Sequence, residues 1–467
     1  MSNLSNHQSA RPALRRQEVD LRLVPAGFLA LIAVGTFLLV LPWAQRPGQF
    51  VGALDAFFLA TSAACVTGLT TVNVAETFSP FGQVVLLGLI QFGGLGILTA
   101  GILLVLVGGN RLSLADEQTI HATVGRLRQA RPLDLFIYAC VFVFLLELAG
   151  AVGLFALMTR ADPAADPAAT LWAAVFHAVS AFCNAGVSNQ PEGMMRWRGE
   201  PALLAIIAAL VLAGSIGLMT LINLRYFQFW RRDPRRRGRM TFQTKLCVAA
   251  AAALLAAGTL LTWLFEPAHT HATAGLAEQL TWAAFHSAMR TAGFTVVNVD
   301  EMNPPTLLGT LALMFIGGAP GSMAGGIKTV TFVVLLATAW TALRRRGEVQ
   351  FWGRRIAPVT SNVAALLTLL AAGCVAAGVG LLMVCEDGHA AAATRHGWLA
   401  LVFEAVSAFG TVGLSTGVTP LLTPAGKLVI VALMFLGRVG TLVLAVYLAR
   451  PANPLRVRHP REELALG

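Results

Sequence analysis

Four short windows carry the residues most able to do chemistry, and each sets a glycine six positions after a serine. They read Ser62-Ala-Ala-Cys-Val-Thr-Gly68, Ser180-Ala-Phe-Cys-Asn-Ala-Gly186, Ser287-Ala-Met-Arg-Thr-Ala-Gly293 and Ser407-Ala-Phe-Gly-Thr-Val-Gly413. Every glycine is followed by an apolar residue and then a hydroxyl. Glycine admits backbone conformations closed to other residues and leaves room for carbonyl oxygens to aim at a common point. A ring of such carbonyls can replace the hydration shell of a cation. One glycine of this kind in a chain with 45 of them would be read as helix packing; four in one register point to a site.

The elements that must position the windows follow from composition. The 467 residues are 56% hydrophobic and 12% charged, with mean hydropathy +0.70. That balance excludes an ordinary soluble enzyme, whose charged share is about 25%. Apolar stretches of spanning length lie near 23–43, 81–108, 134–158, 202–224, 246–265, 306–343, 361–385 and 426–449. Between members of each pair sit shorter half-apolar segments near 52–66, 170–184, 277–290 and 396–410. These are too short to cross a bilayer and suit re-entrant pieces. The expected fold is an all-α polytopic membrane protein of eight transmembrane helices and four re-entrant pore helices. Its four helix–pore loop–helix repeats surround a central ion pore with pseudo-fourfold symmetry. A proline opens the second long helix of each repeat: Pro80, Pro201, Pro304 and Pro424.

The boundaries are a tail at 1–22, repeat 1 at 23–108, a loop at 109–133, repeat 2 at 134–230 and a basic loop at 231–245. Repeat 3 covers 246–343, a second basic loop 344–357, repeat 4 358–449 and a tail 450–467. Of 34 Lys and Arg, 25 fall in the two tails and the three basic segments that share one face, the second of these counted from Arg225 to Lys245. By the positive-inside rule that face is cytoplasmic, with both termini on it and the short segments dipping in from outside. The net charge of +11 is thereby read as topology, with no nucleic acid partner. The six cysteines form no CxxC or Cys/His pattern. No nucleotide-binding glycine loop and no convergent set of catalytic groups is present, so the chain is read as no enzyme.

Two interruptions stand inside long stretches. Gly317-Gly-Ala-Pro-Gly-Ser-Met-Ala-Gly-Gly-Ile-Lys-Thr329 cannot be regular helix. A loop at 317–329 beneath the windows suits a gate, with Gly318, Gly321, Ser322, Gly325, Gly326 and the lone charge Lys328 as its working residues. In the last stretch Arg438 stands about midway, where a charge is functional by default. It serves either as an electrostatic barrier or latch facing the pore, or as partner to a carboxylate such as Glu147 or Glu404; both roles can coexist. Arg290, three residues before Gly293, either tunes the outer pore or anchors the loop.

These motifs, with Gln91-Phe-Gly-Gly-Leu-Gly-Ile97, Arg290-Thr-Ala-Gly-Phe294 and Gly437-Arg-Val-Gly440, resemble the TrkH/KtrB superfamily of potassium transporters from about residue 23 onward. The third window and the absence of an additional leading helix pair bring the resemblance closer to the KtrB branch. The resemblance implies a K+ selectivity filter at Gly68, Gly186, Gly293 and Gly413. Its carbonyl ligands would be Val66, Thr67, Asn184, Ala185, Thr291, Ala292, Thr411 and Val412. It also implies that 317–329 is the gating loop and Arg438 the pore arginine. Met323 departs from relatives, which more often carry a smaller or hydroxylated residue there. The family forms homodimers in the bacterial inner membrane and pairs with a cytoplasmic KtrA/TrkA-type ring of nucleotide-binding regulatory subunits. No cofactor is then expected in this chain; nucleotide would bind the partner, K+ is the transported ion and Na+ a candidate activator. The rival within the class is Na+ transport, against which Gly68 argues, since Na+-passing relatives carry serine at that glycine.

Overall fold

A computed structural model describes residues 23–107, 132–227, 240–266, 275–345, 347–386, 394–441 and 443–444. The tails at 1–22 and 450–467, nearly all of the 109–133 loop and the arginine run at 231–239 lie outside the described residues.

Repeat 1 consists of α1 (Leu23–Val40), the short α2 (Ala53–Ala64) and α3 (Pro80–Val107). Repeat 2 has α4 (Pro132–Ala161), the short α5 (Pro167–Phe182), α6 (Pro201–Ile216) and α7 (Leu218–Phe227). Repeat 3 has α8 (Phe242–Phe265), the short α9 (Leu276–Ala288), α10 (Pro304–Phe315) and α11 (Thr329–Leu343). A two-stranded hairpin, β1 (Gln350–Phe351) and β2 (Arg354–Arg355), precedes repeat 4. That repeat has α12 (Pro358–Cys385), the short α13 (Trp398–Gly410) and α14 (Pro424–Phe435), which runs on as a π-helical turn at Leu436–Gly440.

The result is the expected helical membrane bundle of four repeats. Burial follows it closely, because the short helices hold the core. In α13 every residue from Leu399 to Gly410 but Val402 is buried. The long helices instead turn large apolar side chains outward, among them Phe37, Phe144, Leu369 and Val384, as the hydrocarbon of a bilayer requires. The ring closes where α14 meets α2, with Lys427 Nζ 2.8 Å from Asp55 Oδ1.

Buried acids join the two long helices of repeats 3 and 4. Glu266, one residue beyond α8, accepts the Asn303 amide (3.1 Å) and the Thr306 hydroxyl (2.7 Å) at the start of α10. Glu386, one residue beyond α12, accepts the Thr423 amide (2.8 Å) and hydroxyl (2.7 Å) at the start of α14. Each carboxylate satisfies amide or hydroxyl donors of a helix first turn, whose amides have no partner within the helix.

One expectation needs correction. The 202–224 stretch reads as an unbroken span, but the chain turns by 106° between α6 and α7. The break falls at Gly217, whose φ is +90°, and a side chain there would also lie 2.7 Å from the Pro320 carbonyl oxygen. The apolar run masks it because composition carries no direction.

Candidate functional site: a glycine ring above a broken helix

The four windows come together at one point. A methyl group built on Gly68 would collide with the Ala185 carbonyl, and one on Gly413 with the Thr67 carbonyl. One on Gly186 would strike Gly293, and one on Gly293 would lie 2.8 Å from the Gly413 Cα. The ring therefore runs 68, 186, 293, 413 and back, with backbone oxygens of one repeat pressed on the glycine of another. Outside it opens a cavity of about 260 Å³ lined in part by Gly68, Thr70, Asn298, Gly413 and Ser415.

Three of the four windows share one local turn. The Val66, Asn184 and Thr411 amides donate three residues back, to Ala63, Ala181 and Ala408. The Thr67, Ala185 and Val412 amides reach five back, to the serine carbonyls at 62, 180 and 407, over 2.7 to 2.9 Å. This is the Schellman end of a helix, whose left-handed position normally takes glycine. Here it holds valine, asparagine and threonine at φ of 55°, 62° and 46°, which for β-branched residues costs about 1 to 3 kcal/mol each. In windows 1 and 4 the serine hydroxyl accepts the amide of Gly68 (3.0 Å) or Gly413 (3.1 Å) and holds the turn. Both those glycines lie at φ above +90°.

The third window departs from this pattern. Met289–Thr291 forms a 3-10 turn, the Ala292 amide returns to Met289, and Ala292 is extended at φ −148°. Its support comes from elsewhere. The Arg290 guanidinium donates from Nη1 to the carbonyls of Ile316 (2.5 Å) and Gly317 (3.2 Å), and Asn184 Nδ2 reaches the Thr291 hydroxyl at 3.0 Å. Of the two roles left open for Arg290, the geometry favours anchoring the loop.

The segment between α10 and α11 lies directly beneath. It doubles back so that the Gly317 amide meets the Ile327 carbonyl at 2.8 Å. It docks on the break in repeat 2: the Ala319 amide donates to Ser215 (2.8 Å), that of Met323 to Gly214 (3.0 Å), and Leu218 returns a bond to Gly321 (3.2 Å). Gly318 packs on Ser215 and Ser322, while Gly325 lies so close under the Gly410 carbonyl and Thr411 hydroxyl that a side chain there would collide. Gly321 and Gly326 take left-handed turns, and Lys328 Nζ closes the segment on the Ala324 carbonyl at 2.7 Å.

Arg438 is buried in the π-helical turn and donates to the Met323 carbonyl. This corrects the carboxylate alternative. Glu147 instead accepts Gln91 Nε2 at 3.1 Å, and Glu404 accepts the Ser415 and Thr419 hydroxyls and the Thr416 amide. Among the described residues Arg438 Nε and Nη2 have no hydrogen-bond partner. Met323 sits at the centre of this arrangement, its sulfur 3.1 Å from where a methyl on Gly94 would be.

One further register escaped the sequence reading although the residues display it. Thirteen positions after each helix-opening proline stands a glycine: Gly93, Gly214, Gly317 and Gly437. Three of these lie against carbonyls at the ends of short helices, Gly93 on Ala64, Gly214 on Phe182 and Gly437 on Phe409. The fourth, Gly317, is bound by Arg290 instead. The two histidines of the short helices hold pore-helix hydrogen bonds: His177 to Ala173 (2.7 Å) and Ser188 (2.9 Å), His286 to Thr310 (3.1 Å).

Known proteins share this organisation. The family model for TrkH, described as cation transport protein, matches residues 8–454. The potassium/sodium uptake protein NtpJ of Enterococcus hirae is 32% identical, over 97% of this chain and 98% of that one. The Ktr system potassium uptake protein B of Bacillus subtilis is 33% identical over 96% of both chains. The crystal structure of the potassium transporter TrkH from Vibrio parahaemolyticus superimposes with a TM-score of 0.71 at 17% identity, covering 92% of this chain and 86% of that one.

Proposed function

The chain belongs to the TrkH family of cation transport proteins, and from that premise we propose that it is the ion-conducting subunit of a bacterial potassium uptake system. The observation that carries this reading is the convergence of the four window glycines with neighbouring carbonyls pressed upon them. Potassium entering from the outer cavity exchanges water for backbone oxygens of 66–67, 184–185, 291–292 and 411–412. The C-terminal ends of the four short helices add partial negative charge, which favours a cation.

Below the ring the 317–329 segment blocks the path and Arg438 repels a cation from the inner side. Conduction needs the segment to leave Arg438 and the break at Gly217. The chain works as a homodimer with a cytoplasmic ring of nucleotide-binding subunits; the word "system" in the relatives' names supports the presence of a partner. Nucleotide acts on that partner, Na+ acts as an activator, and both termini are cytoplasmic.

The name of the Enterococcus relative favours a second reading, passage of sodium as well as potassium. Growth rescue of a potassium-uptake-deficient bacterium, with the regulatory subunit supplied, tests both. Rescue by the wild type at low K+ is expected, with K+/Na+ preference reduced in Gly68→Ser. A well-expressed wild type that fails to rescue overturns the transport reading; unchanged preference in Gly68→Ser removes the filter assignment.

A further inference from the structure

Beyond the ring each window runs on to a hydroxyl eight residues after its serine: Thr70, Ser188, Thr295 and Ser415. Three of these, Thr70, Thr295 and Ser415, line the outer cavity. In windows 2, 3 and 4 that hydroxyl accepts the amide two residues on, from Gln190 (3.0 Å), Val297 (3.2 Å) and Gly417 (2.9 Å), a turn that serine and threonine favour. The oxygen is thereby oriented, and the repeats differ in where its hydrogen goes.

In two repeats it goes to the short helix behind. Ser415 donates to the Glu404 carboxylate, which also accepts the Thr416 amide (3.2 Å) and the Thr419 hydroxyl (2.9 Å). Ser188 faces His177 Nε2 at 2.9 Å. His177 Nδ1 lies 2.7 Å from the Ala173 carbonyl, which can only accept, so Nδ1 carries the hydrogen and Nε2 of the neutral ring accepts from Ser188. Thr295 instead donates to the Val297 carbonyl within its own loop.

Glu404 and His177 occupy one register position, three residues before the window serine, where the other two repeats have Leu59 and Ala284. The fold therefore closes around leucine or alanine at this place, and packing alone asks for nothing polar. Burying an acid and an imidazole completely is costly unless they are hydrogen-bonded, and what these two hold is the outer arm of a window. Their windows stand opposite one another, since the ring runs 68, 186, 293, 413. His177 also lies beside Phe294, the residue after the third glycine, with ring centroids 6.0 Å apart. We infer that Glu404 and His177 are positioning residues of the filter: behind two diagonal windows they fix the outer arms at Ser415 and Ser188, and so hold the carbonyl ring at the geometry that separates K+ from Na+. The inference rests on the conduction reading and assigns its selectivity to side chains that do not touch the ion.

The test compares K+ and Na+ uptake by the potassium-uptake-deficient bacterium, regulatory subunit supplied, at equal membrane levels of each variant. Glu404→Ala and Ser415→Ala should each lower the K+/Na+ preference by roughly three- to tenfold. His177→Phe, which keeps a ring beside Phe294 but accepts nothing from Ser188, should do the same. Glu404→Gln still accepts Ser415 and Thr416 and can donate to Thr419, so it should retain most of the preference. A merely structural defect would lower uptake of both ions together and leave their ratio. Where Glu404→Ala fails to reach the membrane, Ser415→Ala carries the test, because it removes one hydroxyl and leaves the carboxylate its other two donors. An unchanged ratio in the Glu404, Ser415 and His177 variants overturns the inference while the conduction reading stands. Glu404→Gln as impaired as Glu404→Ala also overturns it, by assigning the effect to negative charge. Absence of K+ uptake in the wild type overturns the conduction reading and the inference with it.

Discussion

Individual residues here are held in conformations their chemistry resists, and this makes the site testable one side chain at a time. Val66 occupies a left-handed position whose usual tenant is glycine. Val66→Gly should therefore leave thermal stability unchanged or raised, whereas Gly68→Ala should lower it, because a methyl there meets the Ala185 carbonyl; melting curves of the two variants check the contrast. Arg290→Leu removes a charged donor from two buried carbonyls, a loss of about 1.5 to 3 kcal/mol. It should lower both the unfolding temperature and K+/Na+ discrimination in flux assays, with Arg290→Lys restoring part of each. Arg438→Ala frees the Met323 carbonyl, and the expected outcome is faster K+ uptake with quicker amide exchange at Ala319 and Met323.

At the scale of elements, the break at Gly217 and the loop it receives behave as one unit. Gly217→Ala combines an unfavourable φ with a contact on Pro320, so it should displace the loop, and hydrogen exchange across 316–328 should rise while α13 stays protected. The thirteen-residue register gives a sharper case. Deleting one residue between Pro201 and Gly214 turns that glycine by about 100° away from the Phe182 carbonyl, and K+ uptake should be abolished. Much of this was legible in the residues. Four short segments, four glycines, the helix-opening prolines and the 317–329 interruption all leave marks of composition or spacing. The bend at 217 did not, since one glycine in an apolar run carries no direction. Nor did the partner of Arg438, because a carbonyl is an acceptor that every residue supplies. The hairpin at 350–355 was hidden for a related reason: Trp-Gly is a weak turn signal when its strands are two residues long.

For the molecule as a whole, closure of the ring and its orientation are separate matters. The Lys427–Asp55 pair joins the last repeat to the first, yet both side chains are partly exposed, and such pairs contribute little. Lys427→Met should shift the unfolding temperature only slightly, since packing of α14 on α2 remains. Orientation rests on charge: reporter fusions after residues 238 and 347 should be active only on the cytoplasmic side, and external activity at either would reverse the assignment.

The odd third quarter makes the four repeats mechanically unequal. Windows 1, 2 and 4 each build their turn from their own backbone, so each could in principle be a mouthpiece in a tetramer of identical short chains. The third builds a different turn and is tied, through Arg290, to the loop below. Four copies of the first repeat would enclose a hole with nothing wired to it. A displacement of that loop would therefore reach the ring through the one quarter tied to it by Arg290, and not equally through the other three.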